Sequence, residues 1–359
     1  MIRTFHARNY GCLLDATASL TPLHAFVGPN DSGKSTLLHG LRTLVQLASG
    51  RFTFDKAWSP FDPRLPLHFP AINGKPEPHD ILLACAVDGG WYSYDVGAYG
   101  ARELAGVDEN GDTPTSRSER LVTEPRGVLR SADDPSRLIV NQLAGARRAR
   151  FDPDALRAPS GLIPETELAT FDDRGHGLAG VYFALRNEAV ASIVEDVRRL
   201  FPTIRGLRVK AVTKREVVLE AELANGTRVD AARMSEGLLY YLAFAALRFL
   251  EPTSLLVVEE PENGLHPARI AEVVKVLRTV AAAGTQVLIA THSPLVINEL
   301  QPEEVSVVTR TLEHGTRVTP IADTPSFDLR SKAYALGELW LSYANGVDEA
   351  PLLQGGPRP

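Results

Sequence analysis

Gly28-Pro29-Asn30-Asp31-Ser32-Gly33-Lys34-Ser35-Thr36 is a complete G-x-x-x-x-G-K-[ST] phosphate loop, set between an apolar run, Leu23 to Val27, and a helix-like stretch, Leu37 to Leu47. A strand that ends in a glycine-rich turn and opens a helix aims several backbone N–H groups, and the positive end of the helix dipole, at one point where a polyphosphate can sit. Gly28 and Gly33 permit the tight turn. Lys34 is spaced to reach the β- and γ-phosphates, and the Ser35 hydroxyl to complete the coordination of Mg²⁺. Asn30, Asp31, Ser32, Gly33, Lys34, Ser35 and Thr36 are therefore the expected ATP-binding residues, with Asp31 also read as a residue that merely shapes the turn.

The whole chain bounds the setting. Its 359 residues, 44% hydrophobic and 23% charged, suffice for one large domain with an insertion or for two domains. A formal net charge of −6 argues against bulk electrostatic coating of nucleic acid, although a local basic patch would be hidden in that sum. Cys12 and Cys85 form no C-x-x-C pair, so neither a disulfide framework nor a zinc site is indicated. The N-terminus lacks a leader-like apolar core, and the longest apolar stretch, Leu238 to Leu250, holds Arg248 and is too short to span a bilayer. The expectation is a cytoplasmic protein with no membrane partner.

Along the chain, residues 2 to 8 and 12 to 20 read as short antiparallel strands before the phosphate loop, and Phe52 to Pro78 as a Pro- and aromatic-rich loop. Ile81 to Val87, Trp91 to Val96 and Ala101 to Val107 read as further antiparallel strands, split by Asp88-Gly89-Gly90 and Asn110-Gly111. From 108 to 175 periodicity is weakest, and Arg117, Arg120, Arg126, Arg130, Arg137, Arg147, Arg148 and Arg150 gather there. That segment reads as a solvated surface insertion or a phosphate-backbone contact for DNA. One helix is expected from Leu178 to Leu200. Strands follow at Leu207 to Val212, Glu216 to Leu223 and Thr227 to Asp230, with Asn225-Gly226 as a hairpin turn. The remainder alternates strand and helix: Leu255 to Glu259, Pro267 to Ala282, Gln286 to Ala290, a short helix, then Val305 to Thr309. This implies a parallel sheet flanked by helices.

The expected fold is α/β: a mixed central sheet with flanking helices, an antiparallel β subdomain and an inserted lobe. The expected divisions are 1–107 and 204–325 for the two parts of an ATPase head, 108–203 for the inserted lobe, and 326–359 for a C-terminal helix with a frayed tail.

Three further motifs carry chemistry. Leu255-Leu256-Val257-Val258-Glu259-Glu260 is a buried strand ending in two carboxylates on opposite faces. Glu259 is placed to hold Mg²⁺, and Glu260 to orient and deprotonate the attacking water. Val287-Leu288-Ile289-Ala290-Thr291-His292 repeats that design, and His292 is available to donate to the γ-phosphate or hold the water. Met234-Ser235-Glu236-Gly237 precedes a long apolar helix, with Ser235 at an N-cap position.

The order phosphate loop, inserted lobe, Met-Ser-Glu-Gly, Glu-Glu-Pro-Glu-Asn-Gly-Leu-His-Pro and Ala-Thr-His-Ser-Pro resembles the ABC-type ATPases of the RecF, SMC and OLD (overcoming lysogenization defect) group. It is most similar to stand-alone AAA-type, OLD-like ATPases, over residues 1 to about 320. The resemblance implies a head that forms a homodimer around two Mg-ATP molecules, each site using Ser235 and Gly237 from the other copy. It also implies a glutamine linking Mg²⁺ to the inserted lobe, for which Gln142 is the candidate. Transport ATPases usually carry Asp-Glu-Pro and Leu-Ser-Gly-Gly-Gln, so Glu259-Glu260-Pro261 and Ser235-Glu236-Gly237 point away from transport. No long heptad runs, no Cys-x-x-Cys hook and no TOPRIM pattern are seen, so any nuclease or effector is expected to be a separate chain. The expected activity is ATP hydrolysis by Glu260, Lys34 and His292, coupled to a DNA or effector partner in genome maintenance or anti-phage defence. The alternative is a nucleotide-controlled binding scaffold with very slow hydrolysis.

Overall fold

The computed structural model describes residues 1–49, 71–72, 75–76, 81–97, 100–107, 116–122, 136–163, 168–311, 314–325 and 327–344. The Phe52 to Pro78 loop falls almost wholly outside these residues, as do Asn110-Gly111, Arg126, Arg130 and the tail beyond 344. The chain divides into two compact units: Met1–Arg147 with Thr253–Val257 and Gln286–Pro359, and Arg148–Pro252 with Val258–Thr285.

In the first unit an antiparallel sheet runs in the order Leu13–Ser19, Ile2–Tyr10, Ile81–Val87, Gly90–Gly97, Gly100–Val107, Ser116–Val122. Period-2 alternation builds it. Phe5, Ala7, Leu83, Cys85, Tyr92 and Tyr94 are buried on one face, so each strand turns an apolar row inward. Burial pushes the Cys85 thiol up to about 12, which makes it a packing residue rather than a nucleophile. The Ser116–Val122 strand extends this sheet from within the stretch expected to be irregular, pairing Leu104 with Glu119.

A second, mixed sheet has the order Ala146–Ala149, Leu255–Glu259, Gln286–Thr291, Leu23–Val27, Val305–Thr311, Gly315–Pro320. Leu23–Val27 is parallel to both neighbours, as the strand–helix alternation requires. The helix Lys34–Ala48 buries Leu37, Leu38, Leu41, Leu44 and Val45, spaced at three and four residues. These side chains join Phe5 and Tyr10 of the antiparallel sheet and Phe26, Leu288 and Val308 of the mixed sheet in one core. Gly315–Pro320, absent from the sequence reading, pairs antiparallel to Val305–Thr311.

In the second unit the Glu236–Ala246 helix is apolar nearly all round and buried from Leu238 to Ala246. Tyr182 donates its hydroxyl hydrogen to the Leu242 carbonyl at 2.9 Å, and Phe151 stacks edge-on against Phe244 at 4.9 Å. The Glu216–Leu223 strand pairs with Ser160–Gly161, Ile204–Ala211 and Arg228–Asp230 to form a small sheet.

One expectation is corrected here. Instead of a single helix from Leu178 to Leu200, there are two, Leu178–Ala184 and Asn187–Leu200, with Leu185 and Arg186 extended between them. Leu178–Ala184 is buried continuously from Leu178 to Tyr182, whereas Asn187–Leu200 buries only the row Ile193, Val197 and Leu200.

Candidate active site

Strand register sets the first part of the site. Thr291 lies opposite Val27 in parallel pairing, so His292 leaves the sheet at the edge where Gly28 begins the phosphate loop. His292 is exposed, and its carbonyl accepts from Trp340 Nε1 at 3.3 Å, which ties this turn to the Leu336–Ala344 helix.

The loop's shape depends on its glycines. A Cβ at Gly28 would stand 2.2 Å from the Val308 carbonyl oxygen and 2.7 Å from Ser32 Oγ. Gly33 has φ 105°, and a Cβ there would meet Thr316 Oγ1 at 2.2 Å and Cys12 Sγ at 2.9 Å. Thr316 holds the loop from behind, donating to the Ser32 carbonyl at 2.9 Å. Asp31 adopts φ 64°, and Arg310 Nη1 binds its carboxylate at 3.0 Å. Thus Asp31 shapes the turn, and Arg310 and Thr316 are supports the motif could not reveal, since they come from strands nearly 300 residues later. Asn30 is exposed beside Asp31.

The helix opens at Lys34 with Gly33 as its cap and no side chain capping its N–H groups, leaving Lys34, Ser35 and Thr36 at its dipole end. Lys34 Nζ is folded back onto the Gly28 and Pro29 carbonyls, 2.8 Å from each. Ser32 Oγ is buried without a hydrogen-bond partner among the described residues, and Ser35 is exposed at the first turn. A cradle closed to any Cβ, an orphaned buried hydroxyl, a lysine at the loop's first carbonyls and a helix start without a side-chain cap fit a polyphosphate.

The second unit carries the acids. Glu259 is buried, 8% exposed, and Arg148 Nε lies 2.7 Å from its Oε1 while Arg150 Nη1 is 4.0 Å from Oε2. Glu260 follows in the left-handed region at φ 51°, uncommon for a non-glycine residue. Asn263 Nδ2 donates to Glu260 Oε2 at 2.6 Å, and the Asn263 N–H donates to the Glu260 carbonyl at 3.0 Å. The same turn packs on the Glu236–Ala246 helix. A Cβ at Gly264, φ 69°, would strike the Tyr240 ring at 2.3 Å, and the Gly264 carbonyl oxygen lies 3.4 Å from a Cβ position at Gly237. His266 Nδ1 then caps Pro267–Ala282 by accepting from the Ala268 N–H at 3.2 Å.

Ser235 is exposed at the N-cap of Glu236–Ala246 and makes no side-chain capping bond. Met234 is buried behind it. Gln142 has other employment: its Oε1 accepts from the Met1 amino group at 2.9 Å and its Nε2 donates to the Asp88 carbonyl at 2.8 Å. Both ends of the amide are thus engaged, one by Met1 and the other by Asp88. Arg148, within the Arg117–Arg150 segment, is likewise paired to Glu259. Arg117 and Arg120 sit on the edge strand Ser116–Val122 and Arg137 on a short helix, Ser136–Asn141.

Among the described residues no group of three or more His, Cys, Asp or Glu side chains could hold a metal. No helix of the described residues is long and apolar enough to cross a membrane.

These features agree with what the chain is similar to. Residues 95–298, more than half of the chain, match the family described as "AAA domain, putative AbiEii toxin, Type IV TA system". Residues 1–79 match "AAA ATPase domain". The ABC transporter ATP-binding/permease protein Rv1747 of Mycobacterium tuberculosis (strain ATCC 25618 / H37Rv) is 34% identical over 139 residues, 39% of this chain and 14% of that protein. The putative ABC transporter ATP-binding protein BL0043 of Bifidobacterium longum (strain NCC 2705) is 30% identical over 121 residues, 33% of this chain and 15% of that protein. The similarity thus covers only about a seventh of either relative. An SMC head, solved bound to the C-winged helix domain of ScpA, superposes with a TM-score of 0.56 at 14% identity over 89% of this chain and 97% of that one, a likeness of fold. The chain therefore belongs to the AAA-domain family that the 95–298 match describes, with an α/β fold like that of an SMC head.

Proposed function

We propose that the protein hydrolyses ATP with Mg²⁺, using Glu260 as the base, and that it does so as a homodimer closed around two nucleotides. The observation that carries the reading is Glu260 itself. A carboxylate in a left-handed turn at φ 51°, with one oxygen hydrogen-bonded by Asn263, supports a role in directional proton transfer. In this reading the loop residues 30–36 bind the phosphates, and Lys34 leaves the Gly28 and Pro29 carbonyls to meet the β- and γ-oxygens. His292 donates to the γ-phosphate or holds the water, and Ser235 with Gly237 meets the γ-phosphate in the other copy. Ser35 and Glu259 are the residues that would hold Mg²⁺, whose bound charge would offset the phosphate charge as it develops. Glu260 accepts the proton of the attacking water while Lys34 and His292 stabilise the departing negative charge.

The test of the reading is Mg-ATP turnover measured across protein concentration. Turnover that rises with dimer formation supports it, and turnover without any assembly contradicts the shared site.

We extend the proposal to a DNA or effector partner, a defence or maintenance role and a cytoplasmic location, supported by the resemblance of the motifs to those of the RecF, SMC and OLD group. A transport role is the second reading, favoured by the two transporter matches. Glu259 in place of the aspartate and Met234-Ser235-Glu236-Gly237 in place of Leu-Ser-Gly-Gly-Gln weigh against it.

A further inference from the structure

Glu259 poses a physical problem before any nucleotide arrives. A carboxylate with only 7% of its side chain exposed must be neutralised, because an unpaired buried charge is strongly unfavourable. Arg148 meets the need with Nε at 2.7 Å from Oε1. The same guanidinium has a second carboxylate within reach, since its Nη1 lies 4.0 Å from Asp173 Oδ2. Backbone pairing holds that alternative in place. The Arg150 N–H donates to the Asp173 carbonyl at 2.8 Å, and the Asp152 N–H to the Arg174 carbonyl at 2.9 Å. Arg148 and Asp173 are therefore carried on adjoining chain segments whose spacing does not depend on Glu259. Arg150, 60% exposed and 4.0 Å from Glu259, stays at the rim.

We infer that Arg148 is a two-position guanidinium: it pairs with Glu259, as seen here, and transfers to Asp173 when Mg-ATP loads. The inference rests on the reading of Glu259 as the magnesium-facing acid. With a divalent cation at Glu259, Arg148 would lose its first partner to charge repulsion, and Asp173 would be the nearby carboxylate to receive it. Every loading event then includes the displacement of Arg148, so the Mg²⁺ concentration needed for nucleotide binding is set partly by the competition between Glu259 and Asp173 for one side chain. Arg148 acts here through Glu259 as a positioning residue.

The experiment is a Mg²⁺ titration of binding of a fluorescent ATP analogue to the full chain, read as the midpoint Mg²⁺ concentration. Arg148→Gln removes the competitor and is expected to lower the midpoint by about tenfold, a modest coupling. Asp173→Asn removes the alternative seat and is expected to raise it. Arg148→Lys is expected to return the midpoint toward wild type. Opposite shifts in the two variants are the result a general loss of stability would not produce. Midpoints that stay put, or that move in the same direction, overturn the inference while leaving Glu259 as the magnesium-facing acid. Wild-type binding that is equally tight in EDTA overturns that reading of Glu259, and the inference with it. Thermal melts of Arg148→Gln add a second readout: a lowered Tm in EDTA that recovers with Mg-ATP is expected, and a Tm indifferent to Mg-ATP contradicts it.

Discussion

Asn263 Nδ2 lies 2.6 Å from Glu260 Oε2, and the Asn263 N–H closes a turn on the Glu260 carbonyl, so one residue orients both the side chain and the backbone of the acid. Asn263→Ala should lower kcat roughly 10- to 100-fold with little change in nucleotide affinity, because a misplaced base costs rate without removing phosphate contacts. Steady-state kinetics beside equilibrium binding separates the two. A rise in KM alone would mean that Asn263 serves binding instead.

The phosphate loop should be sensitive to substitutions that never touch ATP. A methyl at Gly28 would stand 2.2 Å from the Val308 backbone oxygen, so Gly28→Ala must move the loop or the strand and is expected to abolish nucleotide binding. Thr316→Val removes the hydrogen bond to the Ser32 carbonyl and should cost about 1–3 kcal/mol of stability, with ATP binding weakened but retained. Calorimetric titration and thermal melts check both. Wild-type binding in Gly28→Ala would refute the geometry of the cradle.

How much of this was legible beforehand follows from where each interaction comes from. The phosphate loop, the Glu259-Glu260 strand end and the Thr291-His292 strand end are local patterns, and their strands and helices appear where periodicity and turn residues put them. The supports are long-range. Arg310 on Asp31 and Thr316 on Ser32 join positions whose meeting depends on strand order, which no local pattern encodes. The Ala146–Ala149 strand carries no apolar signature, because Arg147 and Arg148 occupy its centre, so the sequence alone marks neither this strand nor the partner of Glu259. Asn263 was visible in the motif, but only the φ 51° turn at Glu260 shows what it holds.

His24 gives the fold a pH dependence of definite sign. It is buried between Thr21 and Ser306, and burial lowers its pKa to about 4. Below the unfolded value near 6.5 the unfolded chain takes up a proton that the folded one refuses, so stability falls as pH drops through the interval down to about 4. Between pH 7 and about pH 5 the loss from this one residue is on the order of 2 kcal/mol. Denaturant titrations should show that slope reduced in His24→Asn, and an unchanged slope would remove His24 as the cause.

Ser235 is exposed and makes no capping bond, so it is available to another copy without cost to its own helix. Ser235→Arg should leave the monomer's nucleotide affinity near wild type while preventing ATP-dependent dimerisation and lowering turnover. Light scattering in Mg-ATP detects the loss. A stable, active Ser235→Arg dimer would exclude this face from the interface.

If Glu260 is the base of a hydrolytic site shared between two copies, single-turnover hydrolysis by Glu260→Gln, run beside its mass in Mg-ATP, will show a dimer retaining two unhydrolysed ATP molecules, with cleavage slowed at least ~100-fold. Cleavage at the wild-type rate, whatever the oligomeric state, would contradict it.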